Sequence, residues 1–208
     1  MVDKQVYRDL KTVSDADLEK IKKNFAWVTN QLEVFVPESE HLVVVVLGSS
    51  SDAAFGQKIQ KHCTELGISS VIRVTSAHKS TEDTLKLVRY YESLSLKVVF
   101  IAVAGRSNGL GPVISGNSCF PVINCPPLKS DDIERDIWSS LNMPSGLGCS
   151  TVINPESAAL HAAQIIAHTN YVILGKLKVR QLNNYIRIKQ SDKDLLAELG
   201  EKANKLDA

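Results

Sequence analysis

The sequence lacks an excess of charge of either sign and lacks a long apolar segment. Its 24 lysine and arginine residues nearly balance 23 aspartate and glutamate residues, which argues against a surface that binds polyanions. The longest aliphatic run, residues 42–47, suits a buried strand and is far shorter than the ~20 residues of a membrane span. Residues 1–11 are charged and predict no secretory signal. We therefore expect a cytosolic protein that binds neither nucleic acid nor membranes.

Motifs that bind metals or nucleoside triphosphates are also missing. The sequence contains no CxxC pair, no histidine at zinc-ligand spacing from a cysteine and no GxxxxGK[ST] loop. It shows no internal repeat and no low-complexity tract. The missing CxxC pair and zinc-ligand spacing predict reduced, mostly buried thiols and no metal site. The cysteines are Cys63, Cys119, Cys125 and Cys149.

The first 41 residues differ in pattern from the rest of the chain. Apolar residues recur every three or four positions from Leu18 to Phe35, after a capping Ser14, and predict one amphipathic helix within residues 1–36. Pro37 ends this segment, and residues 37–41 are typical of a linker. The apolar face of such a helix must be buried against the following domain (42–208), another subunit, or a domain absent from this chain.

From residue 42 onward, apolar runs alternate with helical patterns. Strands are predicted at 42–47, 71–74, 98–103, 121–125 and 150–153. Helices are predicted from Asp52 to about Leu66, from Ser80 or Thr81, within 107–118, from Asp131 or Asp132 to Trp138, from Pro155 to a break at Gly175, and from Lys176 to about Leu199. The pattern favours a three-layer, doubly wound α/β fold with a parallel sheet of flavodoxin-like order 2-1-3-4-5 and extra C-terminal helices. The apolar face of the last helix predicts an oligomer.

The first three predicted strands each end in a loop of small polar residues. The loops are residues 48–52, 76–79 and 105–111. In a parallel sheet the carboxyl ends of the strands lie on one edge, which is where open α/β sheets bind ligands. Together the loops indicate a site for a phosphorylated, nucleotide-like molecule with one acid–base group. They supply no metal site, redox centre or nucleophilic triad.

The first loop offers the hydroxyl groups of Ser49, Ser50 and Ser51 beside a helix start, where free N–H groups attract phosphate. Asp52 is suited to accept hydrogen bonds from a ribose diol. The alternative is that Ser51 or Asp52 simply caps the helix.

The second loop supplies Ser76, His78 and Lys79. An imidazole titrates near neutrality and can carry a proton in either direction, and an ammonium group can hold a phosphate or a carboxylate. The alternative is an ordinary surface pair. The remaining histidines that lie within predicted helices, His62, His161 and His168, suit structural roles.

The third loop, GRSNGLG, follows the buried run 98–103 and is rich in glycine, which lets a ligand approach the main chain. Its N–H groups and Ser107 can surround a small, flat, polar ligand. Arg106 either pairs with an anion or holds the loop. The alternative is a tight turn without a ligand.

These segments resemble the AIR (phosphoribosylaminoimidazole) carboxylase family. The matching motifs are GSSSD, TSAHK and AVAGRSNGLGPVISGN, followed by FPVINCPPL and DIWSSLNMPSGLGCSTV, and the resemblance covers about residues 42–190. RSNGLGP is typical of the animal-type class that uses CO2 directly. The bacterial mutase class carries an AGGAAHLPG-like loop, with a histidine where this chain has Gly109. Residues 1–36, with VYRDLK and KKNFAWV, resemble the final segment of SAICAR synthetase, to which animals fuse the carboxylase.

The resemblance implies carboxylation of AIR by CO2 to carboxyaminoimidazole ribonucleotide (CAIR) without ATP, biotin, metal or any other cofactor. It implies homo-octamers whose C-terminal helices pack across subunits. His78 would shuttle the proton, and Ser107 would hold CO2 with main-chain N–H groups. Lys79, which stands where the bacterial class has an arginine, would be the third catalytic residue beside His78 and Ser107. The implied substrate-binding residues are Ser49, Ser51, Asp52, Ser76, Lys79, Gly105, Arg106, Ser107, Asn108, Gly109 and Leu110.

Two other functions stay open on the sequence. One is a mutase that moves a carboxyl group from N5-CAIR, against which the RSNGLGP loop argues. The other is a module that binds a nucleotide or assembles subunits without catalysis, since a fold by itself does not determine an activity.

Overall fold

The computed structural model describes residues 40–128 and 133–206. Its strands are β1 (His41–Leu47), β2 (Ser70–Val74), β3 (Lys97–Val103), β4 (Val122–Asn124) and β5 (Ser150–Thr151). Its helices are α1 (Ala53–Leu66), α2 (Thr81–Ser93), α3 (Leu110–Gly116), α4 (Ile133–Asp136), α5 (Trp138–Leu141), α6 (Pro155–Ala167) and α7 (Tyr171–Leu206). A 3-10 turn, Ser50–Asp52, precedes α1. The predicted helix within 1–36 and the predicted caps Asp131 and Asp132 lie outside the described residues.

Across the described residues, the strands form one parallel sheet in the order β2-β1-β3-β4-β5. This confirms the predicted flavodoxin-like order. All seven residues of β1 are buried, as expected for a central strand of a parallel sheet that is covered on both faces.

The two faces of the sheet are covered by different helices, which gives three layers. On one face, alternate side chains of β1 and β3 pack with residues of α2 and α3. This core cluster includes Leu42, Val44, Val46, Phe100, Leu87, Val88, Tyr91, Leu110 and Ile114. On the other face, Leu47 contacts Gly56 of α1 so closely that a Cβ at Gly56 would lie 2.8 Å from Leu47 Cδ2. The alternation follows from the two-residue period of a strand.

The chain divides into two compact units, residues 1–165 and 166–208. The sheet lies in the first unit. The described residues of the second unit are the end of α6 and all of α7. Many large apolar side chains of α7 are exposed, among them Val179, Leu182, Tyr185 and Ile186. No described helix is both long enough and apolar enough to cross a membrane.

Two predicted helices have different limits in the structure. The predicted break at Gly175 is wrong, because Gly175 lies inside α7 and the chain breaks between α6 and α7. There, Asn170 Oδ1 accepts hydrogen bonds from the N–H groups of Val172 and Ile173, both at 3.1 Å. An N-cap satisfies orphan donors, whereas a glycine inside a helix costs only about 1 kcal/mol. The second helix therefore begins at Tyr171 rather than Lys176.

The predicted single helix up to Trp138 is also wrong, because the structure has two short helices, α4 and α5. The N–H of Ser140 bonds to the carbonyl of Ile137, three residues back, at 2.9 Å. The carbonyl of Asp136, which a continuous helix would pair with Ser140, instead lies 2.9 Å from Ser139 Oγ. A serine hydroxyl near the backbone thus competes with the helical ladder.

The four cysteines are free thiols in three environments. Cys63 and Cys125 are fully buried, which agrees with the prediction, and burial raises the pKa of each thiol to about 12. Cys149 is half-buried and Cys119 is exposed, so the prediction of mostly buried thiols is wrong for Cys119.

We predict that an alkylating reagent at pH 8 modifies Cys119 well before Cys63 and Cys125 in the native protein. The two buried thiols stay protonated at this pH because their pKa values are raised to about 12, and only the thiolate is nucleophilic. Peptide mass spectrometry after timed iodoacetamide labelling measures the order, with urea-unfolded protein as the control. Equal labelling of Cys63 and Cys119 in the folded protein would contradict this.

Candidate active site

The ends of β1, β2 and β3 lie at the same level of the sheet. Leu47 pairs with Val74 of β2 and with Val103 of β3. The N–H of Thr75 bonds to the carbonyl of Leu47 at 3.0 Å, and the N–H of Gly48 bonds to the carbonyl of Val103 at 2.8 Å. The structure therefore brings the starts of the three predicted loops side by side.

The first loop is shaped by Ser49. Its Oγ accepts hydrogen bonds from the Ser51 N–H at 3.2 Å and from the Ser51 hydroxyl at 2.8 Å, and both serines are exposed. Asp52 occupies the N-cap position of α1 but makes no capping hydrogen bond with its side chain. Ser49, rather than Ser51 or Asp52, is thus the residue whose side chain caps this turn.

The second loop is a tight turn closed by Ser76 and Ser80. The N–H of Ser80 bonds to the carbonyl of Ser76 at 2.8 Å, and Ser76 Oγ accepts from the N–H of Lys79 at 3.3 Å. The turn leaves His78 and Lys79 exposed, whereas Ser76 is half-buried. The loop therefore presents an imidazole and an ammonium group at the carboxyl edge of the sheet.

His78 lies directly against Gly109 of the third loop. A Cβ built on Gly109 would overlap His78 Nε2 and would lie 2.9 Å from Cε1 and 3.1 Å from Cδ2. Carbon atoms in contact normally stay about 3.5 to 4.0 Å apart. The imidazole can occupy this place only because residue 109 has no side chain, and this contact joins the second loop to the third.

The third loop has an unusual backbone. Arg106 has φ of +56°, the left-handed region that side-chain-bearing residues rarely adopt. Arg106 and Ser107 are exposed, whereas the side chains of Asn108 and Leu110 are buried. The side chains of Asn108 and Leu110 are therefore not presented to a ligand, and the N–H of Asn108 bonds to Ser139 Oγ at 3.0 Å. Gly105 is half-buried and lies near Pro127, to which an added Cβ would come within 3.7 Å.

Three residues that the sequence analysis did not single out hold this loop in place through hydrogen bonds and packing. Ser139 and Ser140 of α5 bond to Asn108, and Asn124 at the end of β4 packs against Gly111 so tightly that a Cβ there would overlap its Oδ1. Asn124 is fully buried, and its Oδ1 has no hydrogen-bond partner. An asparagine inside the apolar run PVINC was the available signal. The two serines carried no signal beyond their place in the motif DIWSSLNMPSGLGCSTV, because paired serines on a short helix are typical of a surface.

The described residues contain no group of three or more histidine, cysteine, aspartate or glutamate side chains arranged to hold a metal ion. The charged groups of the three loops are the cations Lys79 and Arg106, which are exposed, and the anion Asp52, which is half-buried. A site with this composition can hold an anionic ligand and move a proton through His78.

Residues 42–185 match a family model described as AIR carboxylase. The chain belongs to the AIR carboxylase family. Its relatives include the bifunctional phosphoribosylaminoimidazole carboxylase/phosphoribosylaminoimidazole succinocarboxamide synthetase of Drosophila melanogaster, 55% identical over 94% of this chain and 46% of that protein. The human protein of the same name is 51% identical over 93% of this chain and 46% of its own length. The chain thus spans about half the length of these relatives.

Shorter relatives are matched almost along their whole length. The phosphoribosylaminoimidazole carboxylase of Treponema denticola is 36% identical over 74% of this chain and 97% of that protein. The crystal structure of Treponema denticola PurE superposes with a TM-score of 0.73 at 36% identity, over 74% of this chain and 98% of that chain. The AIR carboxylase fold therefore accounts for most of the chain.

We predict that Gly109→Ala pushes the His78 imidazole and the third loop apart. The added methyl group would overlap Nε2, so the two must separate until carbon contacts reach about 3.5 Å. A crystal structure of the variant measures this separation. Gly148→Ala is the matched control, because an added Cβ there has no atom within 4 Å. An imidazole that stays in place above Ala at position 109 would contradict the prediction.

Proposed function

We propose that this chain carboxylates 5-aminoimidazole ribonucleotide (AIR) with CO2 to give CAIR in de novo purine biosynthesis. One observation carries the proposal: in a member of the AIR carboxylase family, an exposed histidine rests on a glycine loop where three polar strand ends meet. We place the reaction in the cytosol, where this pathway would supply AIR.

The nucleotide is held by the first two loops. The serine hydroxyls of the turn at Ser49 and the N–H groups at the start of α1 suit the phosphate, because helix N-termini attract anions. Asp52 suits the ribose diol, and Ser76 and Lys79 complete the binding residues. Lys79 acts as a point charge and cannot form the two-pronged contact of an arginine.

Carbon dioxide is held by the third loop. Ser107 is exposed at its tip. The N–H groups of Asn108 and Gly109 bond within the protein, so the other N–H groups of residues 105–110 are the ones that would hold CO2. Arg106, also exposed, adds positive charge where the new carboxylate forms. Donors placed in advance at a developing negative charge are an effective source of catalysis.

The reaction needs an electron-rich ring and CO2 held in line with C4 of that ring. The exocyclic amine makes C4 of AIR nucleophilic, so C4 attacks the carbon of CO2, a C–C bond forms, and one C=O electron pair becomes a carboxylate charge. Holding the two reactants in line is worth up to ~7–11 kcal/mol of barrier. This step requires no ATP, biotin or metal.

His78 completes the reaction. The adduct still carries a proton on C4, and its removal restores the aromatic ring, so AIR and CO2 give CAIR and one proton. A placed general base contributes typically ~100- to 10,000-fold. The same imidazole returns the proton to C4 in the reverse direction.

We predict that the chain forms CAIR from AIR and bicarbonate-derived CO2 without ATP, and that His78→Asn abolishes turnover while AIR binding changes little. Asparagine keeps polarity and rough size but cannot carry the proton. Ultraviolet absorbance of CAIR measures turnover, and calorimetry measures binding of AIR. Product formation from N5-CAIR but not from AIR plus CO2 would favour the mutase, and binding without either product would favour a non-catalytic module.

His62→Asn is the matched control for this experiment. His62 lies on α1, where its Nδ1 is 2.9 Å from Glu65 Oε2 in a surface pair, and such pairs contribute only ~0–1 kcal/mol. The control should keep full turnover. Full turnover by His78→Asn as well would remove His78 from the mechanism.

We also propose that the chain assembles into homo-octamers through α7. This helix exposes a series of large apolar side chains, with Leu182 57% and Ile186 54% exposed. Exposed apolar surface of this extent is typical of an interface. Residues 1–36 are, in this proposal, the last segment of a SAICAR synthetase domain, which the full-length bifunctional parent would carry.

We predict a mass near eight times 22.8 kDa by light scattering at micromolar concentration. Leu182→Glu with Ile186→Glu should lower this mass, because burying unpaired carboxylates is costly. Far-UV circular dichroism checks that helix content is kept, and Lys178→Glu serves as a control for added charge. A monomeric mass for the unaltered chain would contradict the octamer.

A further inference from the structure

We infer that Ser139 is a positioning residue: its hydroxyl holds the strained Arg106 backbone and so sets the third loop against His78. The inference rests on the proposed function for its kinetic consequence. Ser139 lies more than thirty positions along the chain from Arg106 and Asn108, on the short helix α5, and the nucleotide and CO2 contacts proposed above do not include it.

Ser139 contacts two main-chain groups of the loop that lie two residues apart. Its Oγ lies 2.5 Å from the carbonyl oxygen of Arg106 and accepts a hydrogen bond from the N–H of Asn108 at 3.0 Å. Ser107, the proposed CO2 contact, lies between these two points. A single hydroxyl thus spans the exposed tip of the loop.

The hydroxyl carries one proton, and two carbonyls compete for it. Ser139 Oγ is 2.5 Å from the oxygen of Arg106 and 2.9 Å from that of Asp136. The shorter distance favours donation to Arg106. Arg106 is therefore the main acceptor, and the carbonyl of Asp136, at the end of α4, shares the proton only weakly.

The Arg106 backbone needs such a partner. With φ of +56°, Arg106 adopts a conformation that costs of order 1 kcal/mol or more for a residue with a Cβ. Strained residues of this kind persist only where surrounding contacts hold them in place. The Ser139 hydroxyl is the contact that the structure gives to the Arg106 carbonyl.

The neighbouring Ser140 anchors the same loop from inside. Its Oγ, buried with the residue 1% exposed, accepts from Asn108 Nδ2 at 3.0 Å, and Asn108 Oδ1 accepts from the N–H of Gly111 at 3.0 Å. The carbonyl of Ser140 accepts from Thr151 Oγ1 at 2.6 Å. These bonds fix α5 to β5 and to the base of the loop, so the position of Ser139 relative to the loop is well defined.

The consequence for the site is a defined position for residues 107–109. If Arg106 relaxes, Ser107 moves relative to CO2, and Gly109 moves away from the His78 imidazole that rests on it. Small misplacements of reacting groups are expensive in rate. The loss should therefore appear in kcat more than in the KM for AIR, which other loops hold.

The test compares Ser139→Ala with the unaltered protein and with Ser157→Ala, an exposed serine on α6, as control. We expect the exchange rate of the Asn108 amide hydrogen to rise about fivefold or more, as for the loss of one net hydrogen bond. The Gly111 amide, which bonds to Asn108 Oδ1, is the internal reference. We expect kcat to fall about 10- to 100-fold with a smaller change in KM.

A second background separates positioning from general stability. Glycine adopts the left-handed conformation without strain, so Arg106→Gly should reduce the effect of Ser139→Ala on kcat, with Arg106→Gly alone as the reference. Ser139→Thr, which keeps the hydroxyl, should restore slow exchange at Asn108. Unchanged Asn108 exchange in Ser139→Ala, or an equal loss of kcat in both backgrounds, would overturn the inference.

Failure of the proposed function would look different. In that case the unaltered protein forms no CAIR, while the exchange rate of Asn108 in Ser139→Ala still shows whether the Ser139 hydroxyl holds the loop. Unchanged exchange would count against the inference, and faster exchange that Ser139→Thr reverses would support it.

Discussion

The parallel pairing of β1 with both β2 and β3 is the constraint on which the site depends. Because Leu47 is in register with Val74 and Val103, three loops that are far apart in sequence leave the sheet at one level. The pairing is secured by burial: every side chain of β1 is covered, so a slip in register would expose apolar groups to water. The loops themselves contribute little to this. They can carry polar groups and an unfavourable backbone because the strands beneath them are stable.

The third loop illustrates how such a scaffold supports strain. Its residues do not follow local preference: Arg106 takes a left-handed conformation, and His78 lies where an ordinary side chain at position 109 would be. Both features depend on neighbours that come from elsewhere in the chain. Asn108, Ser139 and Ser140 supply hydrogen bonds, and Asn124 fills the space beside Gly111. Glycine at 109 and 111 is therefore required by close packing, in addition to any contact with a ligand.

Local signals predicted most of the sheet and failed where side chains compete with the backbone. Gly67 ends α1 in the left-handed conformation, with φ of +76°, as its position after an apolar pattern indicated. Gly175 carried the same signal but lies within α7, because Asn170 had already broken the chain upstream. Near Trp138 the sequence pattern suggested one helix, yet the carbonyl of Asp136 faces the hydroxyl of Ser139 instead of the N–H of Ser140. In each failure a polar side chain a few residues away decided the outcome.

By itself, the sequence determined the fold class, the strand order and the three loops at one edge. Apolar runs, and the glycine or serine residues that follow them, are properties of neighbouring residues and can be recognised in the sequence. Its motifs also indicated the family. Only the tertiary structure decided that His78 packs on Gly109 and that Ser139 holds Arg106. These contacts join residues about 30 positions apart whose types are unremarkable in isolation, and their geometry exists only once the sheet has brought the loops and α5 together.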